Sequence, residues 1–161
     1  MRRIFFTLTL VLLSTLNAYS QSLSDARRAF DRYEYKTAAA HFEKLIQNEN
    51  KLEVEDLKRI TYSYYTLGEY EKCKPFSDSI LNYPSAEDLF YLINGNVNKG
   101  LSNYSKAISS YEQYQSMGGK EDVSIKIESC KEIPKWKNEV YVSFNEKNDN
   151  TVFADFVGGK S

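Results

Sequence analysis

The sequence is poor in the residues that most often carry catalytic or metal-binding chemistry. Its 161 residues include two cysteines and one histidine. Cys73 and Cys130 lie far apart, so we expect two free thiols rather than a disulfide framework. His41 has no Cys, Asp or Glu at a recurring metal-ligand spacing, which favours a surface or packing residue. Because no serine has a base or a glycine elbow beside it, we expect no catalysis, no cofactor and no metal.

Proline and glycine are also scarce, and long apolar runs are almost absent. No stretch between Leu23 and Pro134 has the composition of a flexible linker, which predicts one elongated domain. The one apolar run, residues 4–13, follows two arginines and precedes a small-residue site at 18–20. It is shorter than the roughly 20 residues that cross a bilayer, so we interpret residues 1–20 as an export signal, cleaved after Ser20, rather than a membrane anchor.

Neither sign of charge dominates, since 21 basic and 22 acidic residues give a net charge of −1. Removal of residues 1–20 takes away Arg2 and Arg3 and no acidic residue, which leaves 19 basic against 22 acidic residues and a net charge of −3. A nucleic-acid partner requires a basic surface for its phosphates, and this balance argues against such a partner.

What the sequence does contain is an internal repeat. Tyr35, Tyr70 and Tyr104 follow one another at steps of 35 and 34 residues, and each precedes a small residue by three positions. Apolar side chains at helical spacing lie on both sides of each tyrosine, which indicates two helices per unit. A last helix from 121 to 133, ended by Pro134, is expected to cap the array. This period predicts a stack of helix hairpins. The small residues are Ala38, Cys73 and Ala107.

The second unit fits a known repeat signature best. Its matching residues are Leu57, Ile60, Tyr64, Gly68, Tyr70, Cys73 and Pro84. This order resembles the tetratricopeptide repeat (TPR), and the resemblance covers about two thirds of the chain. It implies an all-α fold, a right-handed superhelix of about three hairpins plus the capping helix. Residues 21–134 are then the repeat domain and 135–161 a tail.

In the TPR family the first helices of successive units line a concave groove. Carried over by position, the groove residues of this chain are Arg27, Phe30, Lys58, Tyr62, Tyr65, Asn96 and Lys99. Aromatic rings with cationic tips suit an extended or helical peptide. The carboxylate-binding subset of the family has a Lys and Asn pattern that this chain meets in part, at Lys58, Asn96 and Lys99. The resemblance places Tyr35, Tyr70 and Tyr104 in the core between hairpins.

After Pro134 the pattern changes to alternation. Val140, Val142 and Phe144 predict a strand, an Asn- and Asp-rich cluster follows, and residues 151–157 predict a second strand. A lone hairpin is marginal in water, so this tail either packs on the helices or opens a β domain outside this chain.

The complete pattern resembles the N-terminal region of cell-envelope proteins that join TPRs to a β-propeller and an OmpA-like peptidoglycan-binding domain, some of which serve type IX secretion. We therefore expect an exported, non-catalytic scaffold that binds a protein or peptide in the periplasm or at the outer-membrane periphery of a Gram-negative bacterium. The alternative is a truncated N-terminal part of such a larger protein, associated with outer membrane, peptidoglycan or type IX secretion. An enzymatic role would require the tail to contribute to a site.

Overall fold

The computed structural model describes residues 22–48 and 52–147, with side chains as far as Trp136. This part of the chain contains helices and turns and no strand, which confirms the all-α prediction for it. The helices in order are α1 (22–31), α2 (Tyr35–Gln47), α3 (Val54–Thr66), α4 (Tyr70–Ile80), α5 (Asp88–Gly100), α6 (Tyr104–Ser116) and α7 (Ser124–Lys147).

The helices form two layers. From α2 to α7, each helix packs against the next, and α3 also packs against α5. Side chains join α1 to α3 and α5 to α7, so the odd-numbered helices lie side by side. Lys72 of α4 lies 3.5 Å from a carboxylate oxygen of Glu43 of α2, which places these even-numbered helices in the other layer. The result is an array of hairpins with nearest-neighbour packing.

The turn inside each hairpin has the same backbone geometry. Tyr33, Gly68 and Ser102 all adopt left-handed conformations, with φ of 63°, 72° and 61°. In each turn the next residue donates its N–H to the carbonyl five positions earlier, as in a Schellman motif. These hydrogen bonds are Glu34 to Ala29, Glu69 to Tyr64 and Asn103 to Asn98, at 3.0, 3.0 and 2.8 Å. The repeat seen in the sequence is therefore present in the backbone.

The first residue of every second helix is a repeat tyrosine, and the small residue that follows is fully buried. Ala38, Cys73 and Ala107 are each 0% exposed. Small side chains let neighbouring helices approach closely. Gly95 shows the same requirement, because a Cβ there would lie 2.5 Å from the ring of Tyr111 across the α5–α6 contact.

The buried apolar side chains form two clusters. The larger one spans α1 to α5, from Ala26 to Val97. The smaller one belongs to α6, α7 and the segment between them, from Ala107 to Cys130. Both cysteines are buried free thiols, as predicted.

A layer of buried polar side chains lies between α5 and its neighbours α4 and α6. Asn94 donates to Ser77 and Asp78 of α4, at 3.1 and 2.7 Å, and accepts from Ser110 of α6 at 2.7 Å. Asn98 donates to the side-chain oxygen of Asn94 at 2.8 Å. Helix α5 therefore packs against α4 and α6 partly through hydrogen bonds.

The last helix differs from its prediction. It begins at Ser124, continues through Pro134 and ends at Lys147. The strand predicted at 140–144 is therefore wrong. Ile133, Val140 and Phe144 stand at i, i+7 and i+11, a spacing that also suits a helix, and five alternating residues are too few to exclude one. The second predicted strand at 151–157 and the export signal at 1–20 lie outside the described residues. Within the described part, no helix has the length and apolarity needed to span a membrane.

Candidate functional site

The two groove cations nearest the start of the array are engaged in ion pairs between helices. Arg27 donates to both carboxylate oxygens of Asp56, at 2.8 and 2.7 Å, and the Asp56 side chain is 1% exposed. Lys58 contacts Glu55 at 2.8 Å and Glu87 at 2.6 Å. Hydrogen bonds to these two glutamates raise the pKa of the Lys58 ammonium group. Both cations therefore connect neighbouring helices and have their charges matched within the protein.

The aromatic residues predicted for the first part of the groove pack against each other. The ring of Tyr62 makes edge-to-face contacts with Phe30 and Tyr35, at centroid distances of 6.1 and 5.7 Å. Phe30 and Tyr35 are 5.6 Å apart in the same arrangement. These rings join α1, α2 and α3, and such contacts stabilise packing.

The remaining three groove residues meet in one place. Tyr65, Asn96 and Lys99 line an open pocket of about 450 Å³ on the layer of odd-numbered helices. We call it the tyrosine–lysine pocket. Its other lining residues are Tyr70, Gly100, Tyr104, Lys126 and Ile133.

One wall of this pocket is aromatic. The rings of Tyr65 and Tyr70 stack at 6.2 Å with an angle of 18° between their planes. Tyr70 lies directly on the backbone of Gly100, where a Cβ would be 2.4 Å from its ring. Tyr104 of α6 completes the wall. Tyr70 and Tyr104 are half-buried, so the repeat tyrosines serve the packing that was predicted and also present a surface to the pocket.

The opposite wall is polar and held in place by hydrogen bonds. Asn96 donates to the Tyr65 hydroxyl at 2.8 Å, and its oxygen accepts from Tyr111 at 2.9 Å and from Lys126 at 3.0 Å. Lys99 donates to Ser129 at 2.6 Å. The orientation of Asn96 is therefore fixed from three sides.

The two lysines of the pocket differ in charge compensation. Lys126 pairs with Glu121 at 2.6 Å. Among the described residues, no carboxylate oxygen lies within 4.0 Å of the Lys99 ammonium group. Lys99 therefore supplies a positive charge without a matching acid, beside an aromatic surface.

The sequence prediction missed Lys126 and Ile133 because both lie on α7, which was interpreted as a simple cap. Polar contacts between odd-numbered helices join residues 29 to 31 positions apart, a spacing that only the structure shows. Lys126 stands 30 positions after Asn96. The 34-residue step from Tyr70 to Tyr104, taken from Lys99, reaches Ile133.

This arrangement can hold an anionic group next to an apolar or aromatic one. Lys58, assigned with Asn96 and Lys99 to the carboxylate-binding pattern, does not line the tyrosine–lysine pocket. Within the described residues no group of three His, Cys, Asp or Glu side chains could hold a metal ion. Comparison with known proteins gave no match to a family model, a curated protein or a solved structure.

Proposed function

We propose that this chain is an exported, non-catalytic scaffold of the TPR type that holds a segment of a partner protein against its odd-numbered helices. The tyrosine–lysine pocket is the centre of that contact. The observation that carries the proposal is the Lys99 ammonium group, which lies beside the stacked rings of Tyr65 and Tyr70 and has no carboxylate partner among the described residues. Tyrosine side chains contribute strongly to protein–protein interfaces.

The architecture supports a binding role. An array with nearest-neighbour packing exposes an extended surface, and proteins built in this way commonly use that surface to hold partners. The polar contacts between α3, α5 and α7 fix the pocket side chains before a partner arrives. Such preorganisation lowers the entropic cost of association.

The proposed location is the periplasm or the outer-membrane periphery, and the proposed partner is an envelope protein. The support is in the sequence, where a charged start, an apolar run at 4–13 and a small-residue site at 18–20 fit an export signal. A role as part of a larger envelope assembly would use the same surface.

The experiment is affinity capture of envelope proteins on the immobilised chain and on two charge-reversed variants. Lys99→Glu changes the pocket. Lys106→Glu is the matched control, because Lys106 is exposed and lines a separate pocket with Ser105 and Ser109. Circular dichroism checks that both variants remain helical.

A partner retained by the wild type and by Lys106→Glu, and released by Lys99→Glu, is the expected result. Titration calorimetry with that purified partner should then give saturable, stoichiometric binding that weakens with salt. Equal retention on both variants, or substrate turnover by the wild type, would contradict the proposed function.

A further inference from the structure

Residues 151–157, which follow α7 in the chain, have a composition that matches the tyrosine–lysine pocket. Their sequence is Thr-Val-Phe-Ala-Asp-Phe-Val, so one acid, Asp155, lies between Phe153 and Phe156. The pocket offers a wall of aromatic rings and a cation, Lys99, with no matching acid in the described part of the chain. The two chemistries are complementary in charge and in apolar surface.

The chain is also long enough to bring this segment to the pocket. Ile133 lines the pocket and α7 ends at Lys147, which at 1.5 Å per residue is about 21 Å away along the helix. Residues 148–150 are Asn-Asp-Asn, a composition that favours a turn. The next five residues, to Asp155, can span about 17 Å when extended, and the side chains of Asp155 and Lys99 cover the remaining distance.

The pocket leaves room for such an occupant. Its volume of about 450 Å³ is open to solvent between α3, α5, α6 and α7. A phenyl ring placed against Tyr104 and Ile133 would cover apolar surface that is exposed in the described structure. The Lys99 ammonium group would gain an acid, which it has none of among the described residues.

We propose that residues 151–157 fold back along α7 and bind in the tyrosine–lysine pocket of the same chain. Asp155 then accepts a hydrogen bond from Lys99, and Phe153, which lies on the same face of an extended segment as Asp155, packs against Ile133 and the aromatic wall. Only one consequence rests on the proposed function, namely that this segment competes with a partner protein for the pocket.

Zero-length carbodiimide crosslinking tests the contact, because it joins a carboxylate to an amine only where the two touch. The full chain is treated as a mixture of ¹⁵N-labelled and unlabelled molecules, so that mass spectrometry separates crosslinks within one chain from those between chains. The expected product joins Asp155 to Lys99 within one chain. Lys106 and Asp149 are internal controls. Crosslinks of Asp155 to Lys106, and of Lys99 to Asp149, should be much rarer than the Asp155–Lys99 product.

Two variants separate docking from chance proximity. Phe153→Ala/Phe156→Ala keeps both reacting groups and should lose the Asp155–Lys99 product. Lys99→Glu/Asp155→Lys exchanges the amine and the carboxylate between the two positions. A crosslink between positions 99 and 155 should therefore still form. The proposal is overturned if Asp155 joins Lys106 as often as Lys99, if the double alanine variant keeps the product, or if the product forms between chains only.

The failure of this proposal and of the proposed function can be told apart. A crosslink within the chain, with no Lys99-dependent partner captured by the wild type or by the double alanine variant, supports the docked segment and removes the scaffold role. A partner that depends on Lys99, with no crosslink, does the reverse. If both stand, the double alanine variant should capture more partner than the wild type, because its pocket is open.

Discussion

Arg27 of α1 and Asp56 of α3 form two parallel hydrogen bonds, 2.8 and 2.7 Å long, across 29 positions of sequence. Arg59 adds a third contact to Asp56 at 3.1 Å. Replacement of Arg27 by Ala leaves the buried carboxylate with one cation and should lower the free energy of unfolding by about 1–3 kcal/mol. Urea denaturation followed by circular dichroism measures the change.

The matched control for this prediction is Arg28→Ala. Arg28 is more exposed and pairs with Asp25 of the same helix at 3.5 Å. Exposed pairs of this type contribute little, so the change should stay within about 0.5 kcal/mol. Equal losses of unfolding free energy in Arg27→Ala and Arg28→Ala would show that the contact with Asp56 contributes no more than an exposed ion pair.

The second prediction concerns the left-handed turn residues. A residue with a Cβ is strained at positive φ, so Ser102→Gly should raise the free energy of unfolding by about 0.5–1 kcal/mol. Gly68→Ala should lower the free energy of unfolding by about 1 kcal/mol. Nothing lies within 4 Å of the added Cβ, so this loss would come from backbone strain alone. Thermal unfolding of both variants should show shifts of opposite sign.

Gly95→Ala offers a steric comparison for these turn variants. Gly95 is helical and its added Cβ would meet the Tyr111 ring at 2.5 Å, so the ring must move. The loss should exceed that of Gly68→Ala. A smaller loss of stability in Gly95→Ala than in Gly68→Ala would mean that the α5–α6 contact adjusts more easily than the turn.

The third prediction compares two buried asparagines on α5. Asn94 bonds with Ser77, Asp78 and Ser110, and its removal leaves all three without that partner. The Asn98 side chain bonds only within its own helix, and among the described residues its oxygen has no hydrogen-bond partner. Asn94→Ala should therefore cost about 2 kcal/mol more than Asn98→Ala in chemical denaturation. Similar losses would contradict a structural role for the polar layer.

The fourth prediction concerns acid stability. Burial disfavours the charged form of Asp78, but hydrogen bonds from Lys74 and Asn94 outweigh it and hold the pKa of the carboxyl below its ordinary value of 3.8. Because the folded pKa is the lower one, the stabilisation is complete above the unfolded value and is lost as pH falls through the folded value. Asp78→Asn should therefore be less stable than the wild type at pH 7, and the difference should shrink by pH 2. Parallel pH profiles of the two proteins would contradict this account.

The sequence was sufficient to predict the repeat because the repeat depends on local features. Tyr35, Tyr70 and Tyr104 mark the starts of second helices, and the turn before each has one geometry. The pocket was only partly predictable. The residues carried over by position included Tyr65, Asn96 and Lys99, but ion pairing of Arg27 and Lys58 depends on which acids lie on the neighbouring helix. The helix at 140–144 could not be predicted, because its short apolar pattern fits both the two-residue period of a strand and the 3.6-residue period of a helix.

The fifth prediction uses the two thiols as reporters of local opening. Burial raises the pKa of the Cys73 thiol to about 12 and also raises that of Cys130. Both should be unreactive toward N-ethylmaleimide at pH 8 in the folded protein. Cys130 belongs to the smaller apolar cluster, so in moderate urea it should be labelled before Cys73, as read by mass spectrometry of labelled peptides. Simultaneous labelling would indicate one cooperative unit.

The boundary between the two apolar clusters runs between α5 and α6 and forms a seam through the pocket, which gives the pocket a dependence on folding cooperativity. Tyr65, Asn96 and Lys99 stand on one side of this seam, and Tyr104 and Lys126 on the other. If α6 and α7 separate from α5 as a unit, the pocket is divided. A ligand that contacts both parts of the pocket binds only the closed form. By mass action it therefore shifts the equilibrium between the open and closed forms toward the closed one. Occupancy of the pocket is therefore expected to set how readily the end of the array opens.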